Sequence, residues 1–535
     1  MTERVPTYAI FLAFVLVAAP LDALAQIIPN VVLNRVYGGD RNDEIYAIAQ
    51  TGDTGYAIAG YTGDTLQPGL PDYHGGFEDA WILKLDNAGN IVRERCLGGS
   101  EQEECNSMVH TRDGGYCLAI RTESINGDVI GGYGDGSDGW IVKLRGDFSI
   151  QWKKIVGGSN WDDVFSIIQT TDGGYAVAGF TRSNDGTVVG HYGGILQDDD
   201  AWITKLDSNG SIQWTRCYGG LEADGAQSII QTSDGGYCFC GYTSSREDDV
   251  KNYLGGDEDA WVVKIDSIGA IQWQQCLGGD SITWGSSIAN TSDGGFIVAG
   301  GTYDSLLPRY HDNGDAWVAK LSATGEVEWL NCYGGSQLDK GWYITTLRDG
   351  NDLLAGMVMS NDGDVSGNHS VPPTGDAWVM ELDPAGAIVW QHCYGGSNHD
   401  IGFFLKQLTN GTIAFGGTTS SSDGDTPYNH GNEDMWLMIL ADPASVPANS
   451  ENSVPSLTIY PDPASRQMTV RFTSSQVPTR LEVRNLLGQT IESNIVPAGQ
   501  SDAVFDLANI VPGSYFLTVI APGNHQSIPF EVVPN

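Results

Sequence analysis

Seven tryptophans at a near-constant interval, seven Gly-Gly pairs on the same interval, and short apolar runs joined by Asp-Gly and Asn-Gly turns predict an all-β fold: a seven-bladed β-propeller of four-stranded antiparallel blades, followed by a small β-sandwich. The tryptophans are Trp81, Trp140, Trp202, Trp261, Trp317, Trp378 and Trp436, spaced 59, 62, 59, 56, 61 and 58 residues apart. Two residues before each stands an acid: Asp79, Asp138, Asp200, Asp259, Asp315, Asp376 and Asp434. The Gly-Gly pairs begin at Gly38-Gly39 and end at Gly395-Gly396.

Within one repeat, Trp161 to Gly220, four β-type runs are legible: Phe165 to Thr170, Gly174 to Thr181, Ala201 to Leu206 and Ile212 to Tyr218, strands a to d. Thr171-Asp172-Gly173-Gly174 joins a to b, and Asp207-Ser208-Asn209-Gly210 joins c to d. Glycine supplies the positive φ of such hairpins at no steric cost. Runs a and b are apolar at nearly every position, as at Ile167, Ile168, Tyr175 and Val177, where a sheet with one wet face would alternate. Both faces need cover, and sheets stacked face to face about an axis provide it. Each repeat tryptophan would remove roughly 150 to 250 Å² from water, contributing up to about 4 to 6 kcal/mol as an upper bound.

The seventh repeat supplies only strands a, b and c, from Phe403 to Leu440. Val32 to Tyr37, ahead of the first Gly-Gly pair, reads as a lone strand d, so the N-terminal strand is expected to complete the last blade and leave no open edge.

The chain ends are of a different character. Arg4, an apolar run from Tyr8 to Ala19, and Ala23-Leu24-Ala25 before Gln26 follow the order of a cleavable signal peptide, residues 1–25. Twelve apolar residues fall short of the ~20 that cross a bilayer, and no other run approaches that length, so no membrane span is expected once the signal is removed. Residues 31–440 are assigned to the propeller, 441–454 to a linker rich in Pro, Ser, Asn and Ala, and 455–535 to the β-sandwich. In the last, Leu457 to Tyr460, Met468 to Phe472, Leu481 to Val483, Ala503 to Leu507 and Tyr515 to Ile520 are the strand candidates.

Formal charge is −40, and residues 455–535 hold six acids against four bases, leaving −38 for residues 1–454. Such a field opposes nucleic acid and anionic lipid and favours cations, basic partners or neutral ligands; solubility alone also explains it. Nine cysteines cannot all pair within one chain. Cys96, Cys217, Cys276, Cys332 and Cys393 recur at one place in the repeat, which suggests small apolar core residues, and Cys238 and Cys240, two apart on a strand, do not match a C-x-x-C signature.

The unit D-A-W-I-x-K-L-D-x-x-G-x-I-Q-W-x-x-C-Y-G-G-S, followed by S-I-I-Q-T-x-D-G-G-Y-x-x-A-G, resembles bacterial secreted β-propeller repeat proteins over Val31 to Leu440. The fold such a resemblance implies carries many unrelated functions. In the tail, Tyr460-Pro461-Asp462-Pro463-Ala464, Leu487-Gly488-Gln489, Asp506-Leu507-Ala508-Asn509-Ile510 and Gly513-Ser514-Tyr515 resemble the C-terminal sorting domain of type IX secretion cargo in Bacteroidetes-type bacteria. That resemblance implies recognition of residues 455–535 by the type IX machinery, passage through the outer membrane, and a place at the cell surface or outside the cell. The alternative is an accessory β-sandwich used for binding.

A position that repeats in every blade serves the blade, so a site is sought where the repeats disagree. Near the start of each strand a lies a repeat-wide acid, Asp43, Glu103, Asp162, Asp224, Asp339 and Asp400; the next position differs by blade: Glu44, Glu104, Asp163, Gly225, Trp284, Lys340 and Ile401. These are expected to ring the channel mouth. Trp161, Trp284 and Trp342, the tryptophans outside strands c and d, fall in this entry region. Aromatics beside carboxylates suit sugars, whose C–H faces stack while hydroxyls hydrogen-bond; filling gaps between blades is the plainer reading. The candidate ligand-binding set is therefore Trp161, Trp284, Trp342, Lys340, Glu44, Glu104 and Asp163.

The long b to c loops carry Asp198-Asp199-Asp200, Asp257-Glu258-Asp259, Asp362-Gly363-Asp364 and Asp423-Gly424-Asp425. Calcium is a candidate at Asp362, Asp364, Asp423 and Asp425, since hard cations take several oxygens, but the EF-hand spacing is absent. The Asp before each Ala-Trp is explained by an Asx turn opening strand c. His74, His191, His311, His369 and His430 stand at unequal distances from their tryptophans, which argues against a shared metal ring. No G-x-S-x-G, H-E-x-x-H, phosphate-loop or dinucleotide motif is present, and no cofactor is implied. The leading expectation is a non-catalytic surface or secreted propeller that binds a glycan, protein or cell-envelope component; a glycosidase or lyase and a ligand-free surface component are the alternatives.

Overall fold

A computed structural model of the protein describes residues 28–63, 72–134, 136–192, 198–370, 374–441 and, towards the C-terminus, 458–460, 467–471, 479–485, 490–497, 500, 502–507, 510–521 and 524–533. The expected signal peptide lies outside the described residues, as do the linker after Ala441 and, of the tail motifs, Pro461 to Ala464, Leu487 to Gln489, Ala508 and Asn509. Strands and turns make up the described residues, with no helix among them. The chain divides into two compact units, Met1–Pro443 and Ala444–Asn535.

The first unit holds seven four-stranded antiparallel sheets among its described residues, six of them running in chain order from inner to outer strand. The repeat read above becomes β10 (Asp162–Gln169), β11 (Tyr175–Thr181), β12 (Asp200–Leu206) and β13 (Ile212–Tyr218). Strand a thus starts three residues earlier than its apolar run, because Asp162 and Asp163 pair with Thr181 and Phe180. Strands b and c are buried almost throughout, whereas only the last two residues of β13 are. The seven repeat tryptophans are buried; strand d meets the N–H of Trp202 through Thr215 (2.7 Å), of Trp261 through Gln274 (2.7 Å) and of Trp378 through Gln391 (2.9 Å), whereas Trp317 donates to Trp284 O (2.9 Å) and Gly301 O (3.1 Å).

The last sheet has the order β1 (Val31–Tyr37), β28 (Asp434–Leu440), β27 (Ile413–Thr419), β26 (Asp400–Gln407), so the N-terminal strand does complete it. Asn34 of β1 accepts the Trp436 indole N–H at 2.8 Å, the part strand d plays elsewhere. Tyr37 donates to Gly89 O in the first blade at 2.7 Å, as Tyr218 does to Gly269 O and Tyr333 to Gly386 O.

Each blade is tied to its neighbour by one repeated bond. The backbone N–H opening strand a donates to the carbonyl just before strand c of the preceding blade: Glu103 to Glu78, Asp162 to Ser137, Asp224 to Asp199, Thr283 to Glu258, Asp339 to Gly314, Asp400 to Gly375 and, across the closure, Asp43 to Glu433, all at 2.7–2.9 Å. Beside it two acidic side chains meet at six of the seven junctions. The acid opening strand a accepts the second Gly-Gly N–H (Gly158 to Asp162, 2.6 Å; Gly220 to Asp224, 2.8 Å) and a serine hydroxyl (Ser183 to Asp162, 2.7 Å; Ser245 to Asp224, 2.8 Å). In the fifth blade Thr283 takes its place and pairs with Thr302 at 2.7 Å. The Asp opening strand c accepts an N–H from four to eight residues upstream, as Asp79 from His74 (2.8 Å), Asp200 from Tyr192 (2.6 Å) and Asp315 from His311 (2.8 Å). This clasp on the b to c loop replaces the Asx turn expected from sequence. The Gly-Gly repeat follows from the same crowding, since a Cβ at Gly157 would lie 2.5 Å from Asp138 Oδ1 and 2.9 Å from Asp162 Oδ2.

The strand c lysines are bound to the a to b turns: Lys84 to Asp53 (2.7 Å), Lys143 to Asp113 (3.0 Å), Lys205 to Asp172 (3.0 Å), Lys264 to Asp234 (2.9 Å) and Lys320 to Asp293 (2.6 Å). All nine cysteines are buried and unpaired, and Cys238 and Cys240 share one apolar cluster with Trp317.

The second unit forms a three-stranded sheet, Gln467–Arg471 between Thr458–Tyr460 and Asp502–Asp506, and a four-stranded sheet of Thr490–Val496, Thr479–Arg484, Gly513–Ala521 and Asn524–Val532. Met468, Val470 and Phe505 from one pack with Leu481, Val483 and Leu517 from the other as a sandwich core. Thr490–Val496, which is mostly exposed, and Asn524–Val532, which holds Pro529, are strands that the sequence reading did not include.

Two outcomes test this architecture. Deleting Val31 to Tyr37 removes the Trp436 acceptor and one quarter of the last blade and should lower Tm by roughly 10 °C or more; an unchanged melt would refute the closure. The junction acids give a pH signature. Burial pushes Asp79, Asp224, Asp259, Asp315 and Asp400 up to about 6, Asp138 to about 7 and Asp200 to about 8. The folded chain then holds more protons than the unfolded one between about pH 4 and pH 8, so stability rises as pH falls through that window. Asp53, held at about 2 by its bonds from Lys84 and Thr51, acts oppositely and loses its contribution only below about pH 4. Calorimetry should find Tm higher near pH 5 than near pH 8, with a decline in stronger acid.

Candidate functional site

The inner strands β2 (Asp43–Gln50), β6 (Glu103–His110), β10, β14 (Asp224–Gln231), β18 (Thr283–Asn290), β22 (Asp339–Thr346) and β26 each carry a β-bulge at the same place. In β2 the partners step from Ile45 to Ala47, leaving Tyr46 as the extra residue. The equivalent residues are Asn106, Phe165, Gln227, Ser286, Trp342 and Phe403. A bulge re-aims a side chain, and all seven of these line one cavity of about 610 Å³. Glu104, Tyr242, Glu258 and Trp284 line it as well.

The cavity has an aromatic side and a polar side. Trp342 lies 6.0 Å from Phe403, and Phe403 lies 5.0 Å from Tyr46, so aromatic bulge residues of the sixth, seventh and first blades form a row. Trp284 fits because its cross-strand partner is Gly301, where a Cβ would come within 2.3 Å of the indole; Gly225 makes the same room for Tyr242. On the polar side Ser107, Ser166 and Ser228 accept N–H groups from the next inner strand at 3.3–3.4 Å, which leaves each hydroxyl proton free to donate elsewhere.

The seven positions expected to ring the channel mouth are the second residues of the seven inner strands. Glu44 accepts from Tyr46 at 2.6 Å and from Tyr61 at 2.5 Å, and burial raises its pKa. Arg121 runs between Glu104 (3.7 Å), Glu123 (2.5 Å) and Asp163 (3.2 Å). Burial outweighs that cation and pushes Glu104 up to about 7; it raises Asp163 too and takes Glu258 to about 7. Lys340 places its ammonium 5.6 Å from the Trp284 ring and 5.7 Å from the Trp342 ring. Trp284 and Trp342 line the cavity, but Trp161 does not: it is 46% exposed, with Arg121 5.9 Å from its ring.

The acidic loops have local roles. Asp362 accepts the Ser336 N–H and Asp423 the Ser397 N–H, each at 2.8 Å. Asp364 takes Arg309 at 2.9 and 3.2 Å, while the Asp364 and Asp425 N–H groups donate to Gly334 O and Gly395 O. Gly363 and Gly424 sit at φ 65° and 66°, the turn that Gly127 and Gly186 make in other blades, so Asp-Gly-Asp here is one version of a repeated loop. Among the described residues no group of three or more His, Cys, Asp or Glu is placed to hold a metal ion. His74, His311, His369 and His430 each meet the strand c Asp of their own blade at 2.7–3.2 Å.

Sequence reasoning anchored on the second inner-strand position and on tryptophan, and so missed the bulge residues other than Trp342. The position they occupy, two residues further on, also differs between repeats, from Tyr46 to Gln227 to Ser286.

No curated protein matches the chain. Among solved structures it is similar to a fungal alcohol oxidase of the AA5 family in complex with copper, at 13% identity over 94% of this chain and 99% of that one, with a TM-score of 0.44. It is also similar to a gluconolactonase from Xanthomonas campestris, at 9% identity over 76% and 98% and a TM-score of 0.34. Likenesses this distant say nothing of activity. Residues 458–528 match the family described as a secretion system C-terminal sorting domain. Behind its propeller repeats the chain therefore carries a type IX sorting domain, which marks it for export to the cell surface or the extracellular space.

Proposed function

We propose that the protein is an exported glycan-binding propeller whose ligand enters the central cavity. The observation that carries this reading is the lining itself: indole, phenol and phenyl groups from Trp284, Trp342, Tyr46 and Phe403 on one side, and amide and hydroxyl groups from Asn106, Ser107, Ser166 and Gln227 on the other. A sugar offers C–H faces to the first and hydroxyls to the second. The volume suits a small oligosaccharide unit, within the ~300–1,000 Å³ of ordinary ligand pockets. The loops and junction acids hold the blades, and the channel is where the blades differ.

A glycan array at low ionic strength tests this. The protein should retain a subset of oligosaccharides unchanged, and Trp284→Ala should weaken binding about tenfold, the worth of ~1.4 kcal/mol from one stacked ring. Undiminished binding by Trp284→Ala would remove the cavity from the account.

A carbohydrate-active enzyme is the second reading, favoured by Glu104 and Glu258 at about 7, where a carboxyl can give or take a proton near neutrality. Appearance of shortened products from a retained glycan, lost in Glu104→Gln or Glu258→Gln, would establish it.

For the tail, a chain ending at Val454 should stay in the periplasm of a type IX secreting host while the full chain reaches the surface or medium. Export of the shortened chain would show that the domain is not the sorting signal.

A further inference from the structure

Lysine is scarce and committed in this protein. Against 67 acidic residues stand 27 lysines and arginines, and each strand c lysine named above is bound to a turn aspartate. Lys340, like Lys406, has no such partner among the described residues. Its ammonium is only partly exposed, lies over two indole rings, and makes no hydrogen bond or ion pair among the described residues. Burial lowers its pKa, the mark of a cation without an anion.

Two donors on the cavity wall are unmet. The indole N–H of Trp342 and the hydroxyl of Ser286 are buried atoms without a hydrogen-bond partner among the described residues, and both side chains line the cavity. They are bulge residues of adjacent inner strands, β22 and β18, and Lys340 precedes Trp342 by two residues on the same strand. A buried donor left unpaired costs about 1–3 kcal/mol, so two such donors on the cavity wall, with the Lys340 ammonium over the two indoles that line it, fit an acceptor brought by a ligand.

We propose that Lys340, Trp342 Nε1 and Ser286 Oγ form an anion subsite of the cavity that takes the carboxylate of an acidic sugar. This rests on the glycan reading and narrows it to uronate-type chains. The second-residue ring is bipolar, with Glu44, Glu104 and Asp163 from the first three blades and Lys340 from the sixth. Bound in one orientation, an acidic sugar presents its carboxylate to Lys340, a ring face to Trp284 or Trp342, and a hydroxyl proton to Glu104, the carboxyl of the second-residue ring that lines the cavity. The chain's net charge opposes an anion at long range, but at physiological salt that field is screened beyond ~8 Å, and the groups lining the cavity decide.

The test compares a galacturonate trisaccharide with its methyl ester, which keeps the sugar skeleton and removes the charge, by titration calorimetry on the full chain. The acid should bind at least about tenfold more tightly than the ester. Lys340→Gln should bring the two together, Lys340→Arg should keep the preference, and Trp342→Phe, which keeps a ring and removes the N–H, should reduce it. Unchanged thermal melts would show that the variants are folded. Equal binding of acid and ester, or a preference that survives Lys340→Gln, overturns the anion subsite and leaves the glycan reading standing. Binding of neither trisaccharide overturns it as well, and the glycan array then decides the broader reading separately.

Discussion

The fold depends on sheets that are apolar on both faces. In every blade strands b and c are buried almost from end to end, so no blade can be stable with a face in water, and each covers the next. What turns a stack into a ring is the junction bond from the first N–H of strand a to the preceding blade, repeated seven times without exception. The last of the seven, Asp43 to Glu433, joins residues 390 positions apart and exists only because β1 returns to β28.

The same junctions concentrate charge where it is costly. Acids opening strands a and c are buried side by side, and Oδ1 of Asp79, Asp138, Asp200, Asp259, Asp315 and Asp376 has no hydrogen-bond partner among the described residues. The Gly-Gly pairs, serine hydroxyls and loop N–H groups around them recover part of that cost. Fixing the blades this firmly leaves the inner strands as the place where side chains can vary without loosening the ring. The bulge in each inner strand turns that freedom inward, so seven residues of six kinds face one cavity.

Much of the ring was legible because its determinants repeat. The Asp-x-Trp spacing, the Gly-Gly pairs and the a to b turns each recur seven times and the c to d turns six, and the lone strand at Val32 to Tyr37 had no other partner to seek. The site was only partly legible, since a bulge has no sequence signature and moves a residue to a face that strict alternation would deny it. Of the residues picked from disagreement between repeats, Glu104 and Trp284 line the cavity while Glu44, Asp163 and Lys340 are not among its lining residues; Trp342, picked by residue type, lines it, and Tyr46, Phe165 and Phe403 were not picked. The Asp-Gly-Asp loops have local partners in the structure. They resemble calcium ligands in sequence, yet their side chains meet backbone N–H groups and Arg309.

Native-state hydrogen exchange at the seven junction amides, Asp43, Glu103, Asp162, Asp224, Thr283, Asp339 and Asp400, tests the closed ring most directly. If the circle is continuous, all seven exchange through one cooperative opening of similar free energy, Asp43 included. Exchange of Asp43 far ahead of the other six would mean that the first and last blades part on their own, and would contradict the account.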